Sequence, residues 1–357
     1  MIVYLIMLAL LLAVLLLEKS FAPQCIIENR NQKKKANKLS IWIIFLILTF
    51  VAAFRYGVGT DFYSYYKTNN SANRFEKGNY SDPGFTIFSI CCRVILGDRN
   101  GAVTMGAAII TVALFVVTLA KHSEDFYISI FLFIFAGCFL GLFNGVRQYL
   151  ATAILFAGYP FIINKKPIKW AVVVLLASSI HITAILMFFV YFICNLKCDW
   201  KLVLGYFLLA IILLFAYEPL FNFIGNLKQD KIDTSDAYMR SSVNILRIAV
   251  QCVPIVLLFF VDKEKINNDP ESRFLFNICL LNGALAIAAM NSPYLSRFWI
   301  YTSCFQILMY PKIFNKMRND NKLLFTILLM VCYAAFWGYE VMNSSALSTF
   351  RWIFDYL

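Results

Sequence analysis

The chain has 357 residues, of which 61% are hydrophobic and only 15% are charged. A soluble globular chain is about 45–50% apolar and about 25% charged, so this composition excludes a soluble domain, a disordered chain and a disulfide-rich secreted scaffold. The long uninterrupted apolar runs indicate transmembrane helices rather than barrel strands, in which polar and apolar residues alternate. The sequence therefore predicts an all-α integral membrane protein.

About twelve apolar runs, within a range of roughly ten to thirteen, are predicted to cross the membrane, since one span takes about 20 residues. The first run has no Lys or Arg before it, as a secretory signal would need, so it is predicted to remain as an uncleaved helix. The spans form a single polytopic domain over 1–357 and cover roughly residues 1–17, 39–54, 101–120, 126–143, 148–163, 168–180, 183–195, 202–217, 243–261, 274–290, 298–311 and 323–341.

The net charge of +12 follows the positive-inside rule of membrane proteins, so no nucleic-acid partner is expected. With these spans, 19 of the 32 Lys and Arg residues fall in short segments on one side, which the rule assigns to the cytoplasm. Both chain ends are then predicted to lie outside. The predicted inside segments are 18–40, 121–125, 164–169, 196–201, 262–273 and 312–322.

Two longer polar segments are predicted on the outer side, at 55–100 and 218–241. The first contains one apolar stretch, residues 84–96, which would be about 20 Å long as a helix. That is too short for a hydrocarbon core of about 30 Å. We therefore predict an outer amphipathic helix lying on the membrane surface.

Residues 168–195 form one apolar stretch with polar residues in its middle, at Ser178, Ser179, His181 and Thr183. A single tilted span would place the imidazole near the membrane centre and would invert every later loop. Two half-helices that meet at Ser-Ser-Ile-His keep the charge distribution. Broken helices at membrane depth usually line a cavity, so this stretch is predicted to line a cavity.

Four polar clusters are not explained by span formation, and the predicted topology puts all of them on the outer side. An arginine at a span end can snorkel, and Tyr or Trp there can belong to the aromatic belt. Arg147 and Arg297, however, are the only basic residues in their short outer segments and adjoin apolar helix. The clusters are Arg55 to Tyr66, Asn144 to Gln148, Ser178 to Thr183, and Asn291 to Tyr301.

The residue types in these clusters suit an anionic lipid headgroup that carries sugars. Guanidinium groups bind phosphate through two parallel hydrogen bonds, and aromatic rings suit the apolar faces of sugars. Asp61 and His181 are the general-base candidates. No metal site or cofactor is predicted, because the chain has two His, no CxxC pair, and eight of its ten Cys in apolar stretches.

Four sequence segments resemble the EpsG/Wzy-type family of polysaccharide polymerases. The string FRYGVGTDFYSYY is similar to the family's Arg-x-Gly-x-(Gly)-x-Asp-Tyr/Phe-x-x-Tyr signature after an early transmembrane helix. The segments GVRQYLATAILFAGYPFI, SSIHITA (which follows Lys169-Trp170) and SRFWIY resemble the family's later Arg-Gln, His and Arg segments. Order and spacing agree over about residues 50–305, and the family often has Ser where this chain has Thr183.

The resemblance implies a multi-spanning, GT-C-like glycosyltransferase of the bacterial inner membrane with its active site facing the periplasm or cell exterior. Such enzymes transfer a growing glycan from undecaprenyl diphosphate to the next lipid-linked repeat unit and need no nucleotide. The donor glycolipid, the acceptor glycolipid and membrane lipid are the implied partners. A co-polymerase that regulates chain length is a further one.

The resemblance also implies roles for individual residues. Arg147 and Arg297 would bind the donor diphosphate, with Arg55 beside them, and Asp61 or His181 would orient or deprotonate the acceptor hydroxyl. Gln148 belongs to the same Arg-Gln segment and is a substrate-binding candidate. Arg247, which is predicted to lie in mid-span, would pair with an acid or line the lipid groove. The predicted sugar contacts are Tyr63, Tyr66 and Tyr294.

Three other functions remain open on the residues alone. A flippase of lipid-linked oligosaccharide would place its cations along a central cavity and would lack a 45-residue outer segment. An O-antigen ligase-like glycosyltransferase would use a similar site. A membrane O-acyltransferase would hold its His and Arg nearer the inner side.

Overall fold

The computed structural model describes residues 1–21, 36–66, 82–97, 100–193, 195–227, 243–290, 293–314, 316–317 and 322–356. Within these ranges every extended element is a helix, and strand pairing is limited to two isolated bridges. The α-helices are α1 Ile2–Phe21, α2 Lys38–Ala53, α3 Phe62–Tyr66, α4 Pro83–Leu96, α5 Ala102–His122, α6 Phe126–Phe135, α7 Cys138–Asn144, α8 Val146–Gly158, α9 Pro160–Ile163, α10 Pro167–Ile180, α11 Val190–Ile193, α12 Trp200–Leu227, α13 Ile245–Leu257, α14 Lys263–Asn268, α15 Pro270–Ala288, α16 Pro293–Ser303, α17 Gln306–Phe314, α18 Lys322–Asn343 and α19 Ser345–Ser348.

Four helices in the described ranges are long and apolar enough to cross a membrane. A fifth span results if α6 and α7, which meet at an angle of 41°, count as one. The all-helical architecture of a membrane protein is thereby confirmed for the described residues, whereas the number of about twelve spans stays a prediction. The four helical segments are Ile2–Ser20, Ala102–His122, Val146–Ile163 and Lys322–Asn343.

One further feature differs from the sequence-based expectation. Helix α12 continues to Leu227, so it extends through the first part of the outer segment predicted at 218–241. The remainder of that segment lies outside the described residues, as do 67–81 of the first outer segment. The stretch predicted as an amphipathic surface helix forms α4.

The chain divides into two compact units. The first unit comprises Met1–Phe188 and Ile327–Leu357, and the second comprises Phe189–Thr326.

Close packing at glycine joins the helices of the first unit. A Cβ added at Gly106 of α5 would lie 2.3 Å from Sγ of Cys92 in α4, and one at Gly158 of α8 would lie 2.5 Å from Cγ1 of Val173 in α10. Between these contacts, the ring of Phe115 packs on Phe133 and Phe156 at centroid distances of 4.7 and 5.1 Å. In lipid there is little hydrophobic drive between helices, so such close approaches supply much of the association energy.

The loops of the first unit gather into two groups. At one end, the Tyr127 hydroxyl and the Asn37 amide both donate to the Glu18 carboxylate, at 2.5 and 3.0 Å. At the other end, the Met1 ammonium donates to the Ser348 carbonyl at 3.1 Å, and the segments around residues 55, 100, 144 and 180 lie nearby. From the charge distribution, these two groups are predicted to lie at opposite membrane faces.

In the second unit, α13 and α15 run antiparallel, and a buried polar network links α13, α15, α16 and α17. The Gln251 amide oxygen accepts hydrogen bonds from the amides of Asn282 at 2.6 Å and Gln306 at 2.8 Å. The Thr302 hydroxyl donates to the Asn282 oxygen at 2.8 Å. Because unpaired polar groups are costly in an apolar interior, this network specifies how the four helices align.

The opposite end of α15 carries an ion cluster around Asp269. Its carboxylate caps α15 by accepting from the Glu271 amide, and it also binds Ser272 at 2.6 Å and Lys316 at 2.9 Å, with Lys312 at 3.5 Å. Burial opposes ionisation of Asp269, but the hydrogen bonds from Lys316 and Ser272 and the charges of both lysines outweigh it. They hold the pKa of Asp269 well below its ordinary value.

Two substitutions separate the cap from the charges at Asp269. Asp269→Asn keeps an N-cap acceptor but loses the ion pairs, each worth up to about 1 kcal/mol for partly exposed groups. Asp269→Ala also loses the cap, so we expect a further loss of about 1 kcal/mol. Thermal unfolding of the detergent-purified protein at neutral pH measures both.

The pH dependence provides the control for this comparison. A lowered carboxyl pKa contributes stability that is present above the ordinary Asp pKa of about 3.9 and is lost as the pH falls through the lowered value. The difference between wild type and Asp269→Asn should therefore shrink on acidification. A difference that is the same at every pH contradicts the ion-pair assignment.

Candidate functional site

Arg55 is buried at the end of α2, with an exposed fraction of 1%. Its guanidinium donates to the carbonyl of Val58 at 3.2 Å and to that of Ala52, and it lies 4.4 Å from the ring centroid of Phe143. Burial lowers the pKa of Arg55 to about 9, so the group stays charged at neutral pH. In this position Arg55 organises the loop after α2, and its contact with a donor diphosphate stays a prediction.

The loop after α2 is also held by the segment that follows α18. Tyr56 and Ile353 donate backbone hydrogen bonds to Arg351 and Phe54, both at 2.8 Å. The Gly59 amide donates to the Ala346 carbonyl at 2.9 Å. Sequence analysis gave residues 345–356 no role, because backbone pairing between distant segments leaves no pattern in side-chain type.

Gly59 brings the first two polar clusters together. It has a φ of +101°, and a Cβ there would lie 2.1 Å from the carbonyl oxygen of Phe143. Next to it, the Thr60 amide donates to the Asn144 side-chain oxygen at 3.0 Å. Only glycine allows this close approach of two backbones, so the loop after α2 lies directly against the start of α8.

Arg147 lies in the first turn of α8, and protein groups bind two of its three guanidinium nitrogens. Its Nε donates to the Tyr65 hydroxyl at 2.8 Å, and its Nη1 pairs with the Asp82 carboxylate. The rings of Tyr65 and Phe85 each lie 5.7 Å from the guanidinium carbon. The side chain is 21% exposed, and no described group accepts a hydrogen bond from Nη2. Protein groups therefore orient the guanidinium through two of its three nitrogens, Nε and Nη1.

Sequence analysis missed Tyr65 and Asp82. Tyr65 was one of several aromatic residues in its motif, and nothing distinguished it from Tyr63 and Tyr66. Asp82 stands alone before an apolar stretch, where it resembles an ordinary helix N-cap. Only the tertiary structure shows that both residues bind Arg147.

The third cluster forms the turn of a helical hairpin. Helix α10 ends at Ile180, His181 is extended, and residues Ile182–Phe188 return as a 3₁₀ helix. The Trp170 indole donates to the Met187 carbonyl at 3.3 Å, which shows that the two arms run side by side. The predicted break at Ser-Ser-Ile-His is confirmed, and the returning arm is mostly 3₁₀ instead of α-helical.

The hairpin turn lies next to the Arg147 site. A Cβ added at Gly84, two residues after Asp82, would lie 2.1 Å from the Ser179 hydroxyl oxygen. The α4 N-terminus and the hairpin turn are therefore in direct contact. Three of the four predicted clusters meet at one end of the first unit.

The remaining predicted residues of the first unit differ in accessibility. Tyr63 is 54% exposed, whereas Gln148 is buried and the Tyr66 ring stacks on Phe62 at 5.0 Å. Asp61 is half-buried and accepts from the Thr60 hydroxyl at 3.4 Å, and His181 is also half-buried. Of Tyr63 and Tyr66, which are both predicted to contact sugars, Tyr63 is the more exposed.

Arg247, Tyr294 and Arg297 belong to the second unit. Arg247 lies in the first turn of α13 and is exposed, so its predicted mid-span position is wrong. Arg297 is exposed on α16, and the Val243 amide donates to the Met290 carbonyl at 3.1 Å, which brings the start of α13 to the end of α15. That Arg297 shares a site with Arg147 stays a prediction.

Within the described ranges no three His, Cys, Asp or Glu side chains gather in a group that could hold a metal ion. The chemistry supported by the described part of the site is that of a positioned guanidinium, a carboxylate and aromatic rings.

Gly59→Ala tests the contact that brings the clusters together. A residue with a Cβ in a left-handed conformation costs about 1–2 kcal/mol, and the overlap with Phe143 should add about 1–3 kcal/mol. Gly137→Ala is the matched control, since Gly137 has a φ of +82° but nothing within 4 Å of a Cβ. Thermal unfolding should show the larger loss at Gly59, and equal losses would refute the packing argument.

No curated protein and no solved structure shows a significant match to the chain. The sequence model of the EpsG family matches residues 38–354, which include every cluster described above. Such a match over most of its length shows that the chain belongs to the EpsG family, the Wzy-type polysaccharide polymerases.

Proposed function

We propose that the protein polymerises oligosaccharide repeat units linked to undecaprenyl diphosphate, at the outer face of the bacterial inner membrane. Family membership supports a polysaccharide polymerase, and the resemblance of the four motifs supports the lipid-linked substrate. The observation that carries the proposal is the geometry of Arg147. Tyr65 binds its Nε and Asp82 binds its Nη1, while no described group accepts a hydrogen bond from Nη2.

The Nη2 group of Arg147 suits the donor diphosphate. A guanidinium makes paired hydrogen bonds to phosphate oxygens, and its fixed orientation avoids the entropy loss of ordering a free side chain. When the bond from the sugar to the diphosphate breaks, negative charge grows on the leaving oxygen. A preoriented cation in a site of low polarity stabilises that charge, which lowers the barrier.

The neighbouring groups fit the glycan part of the substrates. The exposed ring of Tyr63 offers a flat apolar face to a sugar. Asp61 and His181, both half-buried at the same end of the unit, are proposed to contact hydroxyl groups. Arg297 in the second unit is proposed as a second cation for the diphosphate.

The outer position of the site is supported by charge. The helix ends that border the predicted basic segments 18–40 and 121–125 meet at the end opposite Arg147, and the positive-inside rule assigns basic segments to the cytoplasm. The site then faces the compartment in which lipid-linked repeat units accumulate after export. A membrane-embedded co-polymerase that sets chain length is the expected protein partner.

Deletion of the gene tests the function. The surface glycan of the deleted host, resolved by length on a gel, should show single repeat units without the ladder of longer chains. An absence of any repeat unit at the surface would favour a flippase or a ligase. An intact ladder with altered decoration would favour an acyltransferase.

Substitutions at Arg147 test the diphosphate contact. Arg147→Ala should abolish the ladder in the complemented host, and Arg147→Lys should restore at most a small fraction of it, since Lys lacks the planar fork. The control is Lys121→Ala, which removes an exposed positive charge at the opposite end of the unit. Normal chains from Arg147→Lys would contradict the proposal, and the same pair at Arg297 tests its role.

A further inference from the structure

Asp82 is an N-cap residue that does not cap its helix. It precedes α4, yet its carboxylate makes no hydrogen bond to the backbone of the first turn. Four other aspartates of the described chain, Asp125, Asp199, Asp262 and Asp269, each accept a hydrogen bond from a backbone amide of the helix that they precede. Aspartate before a helix usually caps it, so the Asp82 side chain has a different role.

The geometry of the Asp82 carboxylate shows what that task uses. One oxygen, Oδ2, pairs with Nη1 of Arg147. The other, Oδ1, is buried, as is most of the side chain, which is 10% exposed. It accepts no hydrogen bond from any described group. An unsatisfied buried acceptor costs roughly 1–3 kcal/mol, more when it is charged, and native proteins seldom keep one without a function.

The residues around Oδ1 are those of the proposed substrate site. Arg147 is the partner of Oδ2, and Gly84, two residues further on, lies against Ser179 in the hairpin turn. Oδ1 of the ionised carboxylate needs a hydrogen-bond donor, and a hydroxyl group is a suitable one. An acceptor sugar presents such hydroxyls.

We propose that Asp82 is the catalytic base, and that its Oδ1 accepts the proton of the acceptor hydroxyl. This inference rests on the proposed polymerase function. The acceptor oxygen forms a bond to the anomeric carbon of the donor glycan as its proton moves to Asp82. The bond from that carbon to the diphosphate breaks, and its electron pair leaves with the diphosphate, which Arg147 binds.

The shared guanidinium explains why base and leaving group can work together. In this proposal Asp82 pairs with Nη1 of Arg147 and the diphosphate binds Nη2. One rigid group therefore sets the distance between them. The bound diphosphate competes with the carboxylate for the positive charge of Arg147. This competition favours transfer of a proton to Asp82 when the donor is bound.

Asp82→Asn tests the base directly, because the amide has nearly the same shape but cannot take the proton. The full-length protein, reconstituted in liposomes, is supplied with lipid-linked repeat units extracted from the gene-deleted host. General-base catalysis is worth about 10²–10⁴ in rate, so turnover should fall at least about 100-fold. Donor binding should be unchanged or tighter, since a negative charge beside the diphosphate has been removed. Asp125→Asn, at the N-cap of α6, is the matched control and should keep both turnover and binding.

A second measurement separates a base from a residue that only positions Arg147. Formate added to Asp82→Ala should restore a measurable part of the turnover, because a small carboxylate can enter the space of the missing one. The Asn variant should also lose donor binding if Asp82 merely orients Arg147, and that result overturns the base assignment. Retained turnover in Asp82→Asn overturns it equally.

Failure of the proposed function gives a different pattern. If the wild-type protein makes no polymer from these repeat units, or if Arg147→Ala binds the donor as well as wild type does, the polymerase site itself is wrong. If wild type polymerises and Arg147→Ala fails to bind, while Asp82→Asn turns over normally, only the assignment of the base is wrong.

Discussion

The buried guanidinium of Arg55 is the interaction on which the first unit's site depends. A charge with an exposed fraction of 1% is tolerated only where hydrogen bonds replace the lost water. The carbonyls of Ala52 and Val58 and the ring of Phe143 provide this replacement. They come from the end of α2, from the loop and from α7, so satisfying one cation fixes three segments. Through Gly59 and Thr60 the loop then rests on the start of α8, where Arg147 is presented.

The short helices around Arg147 follow from the same need to satisfy polar groups. Helix α10 has 14 residues, about 21 Å, which is less than a hydrocarbon core of about 30 Å. The chain turns back after it at His181, and α4 packs its N-terminus against the turn. Irregular backbone is tolerated at such depth where it is buried in protein or lines a cavity. The broken elements of this fold occur where polar side chains from distant parts of the chain converge.

The second unit is organised by polar groups of another kind. A neutral network of amide and hydroxyl side chains aligns its helices, while the ion cluster around Asp269 anchors one end of α15. Its arginines, Arg247 and Arg297, are exposed near the other end. Each unit thus separates a basic or ionic end from an end that carries the residues with family resemblance.

The sequence alone determined the class of the protein and much of its helical organisation. Apolar run length and charge distribution predicted the helices, the break at His181 and the two groups of loops in the first unit. The motifs predicted the family and Arg147, because these signals are local and survive in the linear order of residues. The tertiary structure alone decided that Arg55 is a buried support, that Arg247 lies at a helix start, and that Tyr65 and Asp82 hold Arg147. Those roles depend on which segments pack together across 65 or more residues, and an aspartate before a helix has the same sequence whether it caps that helix or pairs with a distant arginine.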